Sequence, residues 1–158
     1  MPKLVLPGEY AALRAEFAGR GQRLVFTNGC FDLLHVGHVR YLQAARALGD
    51  ALLVAINGDA GVRALKGPGR PINSEDDRAE VIAALACVDY VTVFEDERVT
   101  ELLRVIRPQV YAKGGDYTLE TLNAEERGVL QGLGSEIRLL PLVPGKSTTA
   151  TLERSRQP

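Results

Sequence analysis

Cysteine is scarce in this chain, and its scarcity excludes several kinds of site. The 158 residues contain only Cys30 and Cys87, which are too few for a disulfide framework and lack metal-ligand spacing. A reducing cytoplasm is therefore the predicted compartment. Cys30 is not predicted to be a catalytic nucleophile, because no third histidine is left to orient or assist it.

The chain also lacks an excess of either charge and lacks long apolar runs. Its 19 lysines and arginines nearly balance 20 aspartates and glutamates. This balance gives no basic footprint for nucleic acid and no polybasic patch for a membrane. No apolar run approaches a membrane span, and residues 1–18 lack the pattern of a secretory leader. With 46% hydrophobic and 25% charged residues, the composition predicts one soluble, globular domain over 1–158.

Two common phosphate-binding signatures are missing. The chain has neither a Gly-x-x-x-x-Gly-Lys-Ser/Thr loop nor a Gly-x-Gly-x-x-Gly turn. Gly145-Lys146-Ser147 matches a fragment of the first signature, but residues 139–144 lack its first glycine. Internal repeats, low-complexity tracts and interdomain linkers are absent as well.

Apolar segments alternate with helical patterns along the chain. The predicted strands are 23–28, 51–56, 88–94, 110–112 and 136–142, and the predicted helices are 6–20, 39–48, 60–65, 74–86, 98–106, 122–133 and a short one from 147. Continuously apolar strands are typical of a parallel sheet that is covered on both faces. The spacings suit βαβ crossovers, so the sequence predicts an α/β fold with a doubly wound, parallel, five-stranded sheet.

The only two histidines, His35 and His38, lie three residues apart after a predicted strand. The strand ends in a turn at Gly29, and a helical pattern follows. Free N–H groups and the dipole at a helix entrance favour phosphate. Imidazoles at positions i and i+3 would lie on one helix face and hold one phosphate from the same side. The ordinary alternative is a capping turn with two incidental histidines.

Lysine is rare among the basic residues, and its placement is informative. Only four of the 19 are lysines, and three of these, Lys66, Lys113 and Lys146, touch glycine. Glycine allows a ligand to approach the backbone closely, and lysine supplies a compact positive charge for phosphate. The pattern therefore favours phosphate binding over the ordinary alternative, a solvated loop lysine.

Four segments that follow predicted strands should converge on one rim of the sheet, because such sheets bind ligands beyond the strand carboxyl ends. They are the turn at Gly29, residues 57–59, residues 113–116 and the segment from Ser147. The rim offers imidazoles, lysines and backbone N–H groups, without a serine–histidine–acid arrangement or a Cys/His metal cage. This inventory suits phosphoryl transfer, which needs mainly positioning and charge neutralisation. The attacking group would come from a second substrate.

The motifs resemble those of a known superfamily. His35-Val-Gly-His38 after Gly29-Cys-Phe-Asp32, with Ser147-Thr148-Thr149, is similar to the signature of the Rossmann-like HxGH nucleotidyltransferases, which join a nucleotide to a phosphorylated substrate. Segments 27–38, 65–67, 69–73, 77–78, 88–90 and 113–117 resemble the D-glycero-β-D-manno-heptose 1-phosphate adenylyltransferases. The resemblance covers residues 22–149. In many bacteria that domain is fused to a sugar kinase, and this chain resembles the stand-alone version.

The resemblance implies a role for each matching position. The implied catalytic residues are His35, His38 and Lys66. The implied nucleotide-binding residues are Asn28, Gly29, Cys30, Phe31, Gly37, Lys113, Gly114, Asp116, Ser147, Thr148 and Thr149. The implied substrate-binding residues are Asp32, Asp59, Arg70 and Arg78. No protein metal site is implied, because magnesium would be held mainly by triphosphate oxygens and water.

Four of these residues have ordinary alternatives. Asp32 could satisfy backbone donors in its own turn, and Arg70 could be a plain loop residue. Arg78 could pair with Glu75 on its own helix face, and Asp59 could lack any contact with a ligand.

The resemblance implies transfer of AMP from ATP to D-glycero-β-D-manno-heptose 1-phosphate, which gives an ADP-sugar for bacterial lipopolysaccharide and releases pyrophosphate. The implied partners are ATP with Mg²⁺, the sugar 1-phosphate, a second copy of the chain and a separate sugar kinase. Leu142 stands where glycerol 3-phosphate cytidylyltransferases carry arginine, which argues against that branch. Two alternatives stay open: a CTP-dependent enzyme for a polyol phosphate or phosphorylated amino alcohol, and a nucleotide-binding regulatory module without chemistry.

Overall fold

A parallel sheet forms the centre of the fold and directs its strand ends to one rim. The structure is a computed structural model that describes residues 3–96, 98–115, 117–141 and 144–158. Its strands are β1 (Leu24–Gly29), β2 (Ala51–Asn57), β3 (Tyr90–Phe94), β4 (Val110–Gly114) and β5 (Glu136–Leu140). They pair in parallel in the order β3-β2-β1-β4-β5. The predicted doubly wound, five-stranded sheet is confirmed.

Helices connect the strands and cover both faces of the sheet. Those in the described residues are α1 (Tyr10–Arg20), α2 (Val36–Arg46), α3 (Asp59–Lys66), α4 (Glu75–Ala83), α5 (Thr100–Ile106), α6 (Ala124–Leu133) and α7 (Thr148–Ser155). A short 3-10 helix, Pro7–Glu9, precedes α1. Each α-helix lies where the sequence pattern predicted one, with ends that differ by a few residues. Across the described part of the chain, every helix is too short or too polar to cross a bilayer.

The strand order reverses between β1 and β4, and this reversal creates the binding rim. The chain first adds β2 and β3 on one side of β1 and then returns to add β4 and β5 on the other. One face of the sheet packs on α1, α5 and α6 through residues such as Phe26 and Leu103. The other face packs on α2 and α4 through residues such as Val54 and Ile82. Ligands bind such sheets at this point of reversal.

The two sheet edges are finished differently. At the β3 edge, the segment before α1 pairs with Val91, whose backbone N–H donates to Lys3 and whose carbonyl accepts from Val5. At the other edge, β5 is mostly exposed or half-buried, and Glu136 accepts from Arg23 and Arg138. The prediction of strands buried on both faces therefore fails for β5, because an edge strand meets solvent on one side and charged side chains protect it.

We expect Leu53→Ala to destabilise the protein by about 2–5 kcal/mol, because it would leave a cavity in the close-packed core. Leu53 lies in the interior strand β2 and is fully buried. Val105→Ala is a suitable control, since Val105 is 46% exposed on α5. Urea unfolding of both variants measures the difference. Equal unfolding midpoints for the two variants would contradict this packing.

Candidate active site

A cleft of about 1040 Å³ opens at the carboxyl ends of β1, β2 and β4. Most of the residues predicted for the site line it, namely Asn28, Gly29, Cys30, Phe31, Asp32, His35, Gly37, His38, Lys66, Arg70, Lys113, Gly114, Ser147, Thr148 and Thr149. Asp59 and Arg78 do not line it. Asp116 lies outside the described residues. The fold thus gathers segments that are more than 100 residues apart in sequence.

The two histidines lie at the entrance of α2, and only His38 is inside the helix. Helix α2 begins at Val36, three residues earlier than expected, and His35 is its N-cap. The Nδ1 atom of His35 accepts from the Gly37 N–H at 3.0 Å, and the Nδ1 atom of His38 accepts from the His35 N–H at 3.3 Å. The ring centroids are 4.0 Å apart. The rings therefore form one unit that also caps the helix.

These hydrogen bonds determine which ring nitrogen carries the proton. Because both Nδ1 atoms accept from the backbone, a neutral ring must carry its proton on Nε2. Burial, with the nearby His35 ring, lowers the pKa of His38 from 6.5 to about 4. Burial, with the charge of Lys146, also lowers the pKa of His35. In the free protein at neutral pH, both rings are therefore uncharged donors through Nε2–H.

Glycine leaves room for the aromatic rings at two positions. A Cβ at Gly37 would lie 2.7 Å from Cε1 of His35, and a Cβ at Gly29 would lie 2.9 Å from Cε2 of Phe31. Phe31 itself adopts a left-handed backbone with φ of +48°, and its ring centroid is 5.5 Å from that of His38. Non-glycine residues rarely adopt this conformation, and such strain is typical of functional turns.

Asp32 holds the loop after α3 against the cleft. Its Oδ1 accepts from the Asn73 N–H, and its Oδ2 accepts from the Ile72 N–H and from Nε of Arg70, all at 2.8–2.9 Å. Burial alone would raise the pKa of Asp32, but these three donors together lower it below its usual value. Asp32 does accept from backbone N–H groups, as the ordinary alternative proposed. These donors belong to a loop about 40 residues away and not to its own turn, so that part of the alternative is wrong.

Arg78 is placed differently from its predicted role. Its side chain is 1% exposed and does not reach the cleft. The guanidinium donates to the backbone carbonyls of Cys30, Asn57 and Asn73 and to Oδ1 of Asp59, at 2.7–3.0 Å. The alternative pairing with Glu75 is also wrong. The structure therefore makes Arg78 and Asp59 positioning residues that join the ends of β1 and β2 to the start of α3.

The far wall of the cleft, built by β4 and α6, contains a second polar cluster. Lys113 lies with its Nζ 5.1 Å from the ring centroid of Tyr117 and 4.0 Å from Oε2 of Glu126. The Tyr111 hydroxyl lies between Glu126 and the side chain of Asn28. Apart from Asp32, Glu126 is the only acidic side chain among the described residues of the cleft.

A family model described as cytidylyltransferase-like matches residues 26–153, which is most of the chain. The chain belongs to this family. The match includes both histidines and the segment that starts α7. Membership makes the protein a nucleotidyltransferase, as the motifs predicted.

The relatives that match this chain do so over only part of their own length. The bifunctional protein HldE of Syntrophotalea carbinolica is 53% identical over 135 residues, which is 85% of this chain and 27% of that protein. The bifunctional protein HldE of Geobacter sulfurreducens is 48% identical over 150 residues, which is 95% of this chain and 29% of that protein. The chain thus spans little more than a quarter of the length of these relatives.

Solved structures agree with the fold. The lipopolysaccharide core biosynthesis protein of Thermoplasma volcanium has a TM-score of 0.62 and 25% identity, over 78% of this chain and 98% of that one. The pantoate-beta-alanine ligase of Francisella tularensis has a TM-score of 0.60 and 14% identity, over 89% of this chain and 67% of that one. The second likeness concerns the fold alone.

A protein-held metal would need a cluster of ligands. Within the described ranges, no group of three or more histidine, cysteine, aspartate or glutamate side chains could hold a metal ion. Magnesium bound with a nucleotide is typically held chiefly by phosphate oxygens and water. Magnesium stays a prediction that depends on the nucleotide.

Several residues that line the cleft were missed by sequence reasoning. They are Tyr41, Leu65, Arg98, Val99, Tyr117, Thr121, Leu122, Asn123, Glu126 and Pro141. Lys146 and Asn57 also line the cleft, as the lysine beside glycine and the rim segment of residues 57–59 predicted. No pattern in the sequence pointed to Glu126, because a glutamate in the first turn of a helix is a common, favourable arrangement with the helix dipole.

We predict that the His38 ring in the free protein titrates near pH 4, because the buried ring resists taking up a proton. NMR titration of the two histidine rings, assigned with single-histidine variants, measures this. Binding of a nucleotide triphosphate should raise the pKa of His38, since phosphate stabilises the charged ring. A pKa at or above 6.5 without nucleotide would contradict the described environment.

The same shift predicts how stability depends on pH. Between about pH 6.5 and 4, His38 binds a proton in the unfolded chain but stays unprotonated in the native protein. The free energy of unfolding should therefore fall as pH drops towards about 4. His38→Gln should remove this part of the pH dependence. Denaturant unfolding between pH 4 and 7 compares the two proteins, and parallel curves would contradict the assignment.

We expect Arg78→Met to destabilise the protein by about 3–5 kcal/mol, because it leaves the partners of a buried charged group unsatisfied. Arg63→Met is the matched control, since Arg63 is exposed on α3. Urea unfolding of both variants gives the comparison. An Arg78 variant as stable as the Arg63 variant would show that the buried guanidinium does not hold these segments together.

Proposed function

We propose that this chain transfers AMP from ATP to a sugar 1-phosphate, D-glycero-β-D-manno-heptose 1-phosphate, and releases pyrophosphate. The observation that carries the proposal is the pair of backbone-oriented imidazoles, His35 and His38, at the helix entrance of a cytidylyltransferase-like cleft. Their Nε2–H groups are the donors that a crowded α-phosphate requires during substitution.

The reaction needs little covalent chemistry from the protein. A phosphate oxygen of the sugar 1-phosphate forms a bond to the α-phosphorus of ATP, and the bond from that phosphorus to the bridging oxygen of the β-phosphate breaks. Pyrophosphate leaves with the bonding electrons, so the step itself requires no proton transfer. The two histidines would donate to the non-bridging α-phosphate oxygens, where charge is concentrated in the transition state.

Cationic and backbone groups around the histidines would bind the rest of the triphosphate. Ser147 caps α7 by accepting from the Ala150 N–H, and this helix entrance lines the cleft. Thr148 donates its hydroxyl to the Leu33 carbonyl at 3.3 Å, which attaches the start of α7 to the histidine turn. Helix entrances favour phosphate, and Lys66 and Lys146 add positive charge. Magnesium, when bound with ATP, would neutralise further phosphate charge.

The choice of ATP and of a heptose rests on the relatives and on the motifs. Relatives about 50% identical are named bifunctional protein HldE, which agrees with a domain that many bacteria fuse to a sugar kinase. A solved structural neighbour at 25% identity is named as a lipopolysaccharide core biosynthesis protein. These findings favour a product for bacterial surface polysaccharide, with a sugar kinase as the source of the sugar 1-phosphate.

A pyrophosphate-release screen with magnesium tests the proposal. ATP and CTP would each be offered with heptose 1-phosphate, other sugar 1-phosphates, polyol phosphates and phosphorylated amino alcohols. Turnover with ATP and heptose 1-phosphate is the expected result. Turnover with CTP and a polyol phosphate would replace it with the cytidylyltransferase that the family description also accommodates.

We predict that His35→Ala and His38→Ala each lower kcat/KM by roughly 10²- to 10³-fold, as for loss of one oxyanion donor. Gln43→Ala is the control, since Gln43 is an exposed residue of the same helix α2. Steady-state kinetics of the three variants, with circular dichroism to verify folding, give the comparison. Near-normal turnover in both histidine variants would exclude their proposed role.

A further inference from the structure

Glu126 places a negative charge in a cleft that otherwise suits anions. Its side chain is 8% exposed and lines the cleft, where Lys66, Lys113 and Lys146 supply positive charge. A carboxylate repels phosphate, so Glu126 is unsuited to bind any part of a triphosphate. Its carboxylate must have another partner, because burying an unsatisfied charge is costly.

The local hydrogen bonds leave part of this carboxylate free. The Tyr111 hydroxyl lies 3.1 Å from Oδ1 of Asn28 and 3.3 Å from Oε2 of Glu126. Burial and the nearby Glu126 carboxylate raise the pKa of Tyr111 well above 10, so the phenol stays protonated. It has one proton for two acceptors. Lys113 approaches the same Oε2, but only to 4.0 Å.

Two atoms in this cluster have no partner among the residues that the structure describes. They are Oε1 of Glu126, an acceptor, and Nδ2 of Asn28, a donor. Within the same residues, every fully buried side-chain nitrogen or oxygen has a hydrogen-bond partner. The two unpaired atoms are therefore accessible, and both residues line the cleft. The Tyr111 hydroxyl thus lies between Glu126, which has a free acceptor, and Asn28, which has a free donor.

We propose that Glu126 and Asn28, positioned by Tyr111, form a subsite that binds two neighbouring hydroxyl groups of a ligand. One hydroxyl donates to the Glu126 carboxylate, and the other accepts from the Asn28 amide. The proposal rests on the proposed function, whose two reactants both carry neighbouring hydroxyl groups. ATP carries such a pair on its ribose, and the sugar 1-phosphate carries such pairs on its ring. The chemistry of the subsite is the same for either source.

The nucleotide arm of the test uses isothermal calorimetry with ATP, 2′-deoxy-ATP and 3′-deoxy-ATP. If the subsite holds the ribose, the wild-type protein binds ATP more tightly than at least one deoxy analogue, by roughly 10-fold or more. Glu126→Gln removes the charge at nearly constant shape and should abolish this preference. A purely structural role of Glu126 would weaken all three nucleotides equally and leave their ratio unchanged.

The sugar arm measures the KM and, by calorimetry, the Kd of the sugar 1-phosphate. If the subsite holds the sugar, Glu126→Gln raises both by roughly 10-fold or more and leaves the affinity for ATP unchanged. Glu125→Gln is the matched control, because Glu125 is the exposed neighbour in the same first turn of α6. Glu126→Asp keeps the charge but withdraws it by one methylene, so it should show the same loss if Glu126→Gln does not fold.

The proposal is overturned if Glu126 variants match Glu125→Gln in the nucleotide ratios and in the sugar constants. It is also overturned if the sole effect is an equal weakening of all ligands. Failure of the proposed function is a separate result, in which the wild-type protein releases no pyrophosphate with any sugar phosphate. The calorimetric comparison of ATP with its deoxy analogues and of the sugar phosphate still decides the subsite in that case.

Discussion

Three backbone carbonyls and one carboxylate converge on the buried guanidinium of Arg78. The carbonyls belong to the turn after β1, the end of β2 and the loop before α4, so one side chain holds together the segments that shape the cleft. A guanidinium suits this position because its five donors lie in a fixed plane and it stays charged when buried. Asp32 provides a second link, because its carboxylate accepts hydrogen bonds from the loop of residues 70–73.

Burial also determines the charge of the cleft before a ligand binds. The two imidazoles are neutral, and their orientation comes from backbone N–H groups rather than from an acidic side chain. Neutral rings do not repel the neighbouring lysines, so the positive charge of the free cleft comes from lysine and arginine alone. A bound triphosphate would change this balance, since it offers negative charge to rings already fixed in place.

The rim formed by the histidine turn and the start of α7 suits phosphate, whereas the wall formed by β4 and α6 differs in its chemistry. Glu126, Tyr111 and Lys113 lie on that wall beside Asn28 of β1, and the Glu126 carboxylate repels phosphate but can accept from hydroxyl groups. With the proposed subsite, the cleft has one half that binds anions and another half that binds uncharged polar groups. The proposed transfer would need such a division, because it has to position a phosphorylated sugar against a nucleotide.

Local sequence patterns determined the order of the elements, the parallel sheet and the turn with the two histidines. Apolar runs, turn glycines and helix caps act over a few residues, so they can be read without the fold. The structure alone decided the contacts of Asp32, Arg78 and Glu126. The Arg78 bond to the Cys30 carbonyl spans 48 residues, and the Tyr111 bond to Asn28 spans 83. Partners at such separations are chosen by the packing of strands and helices, which no local pattern of residue types records.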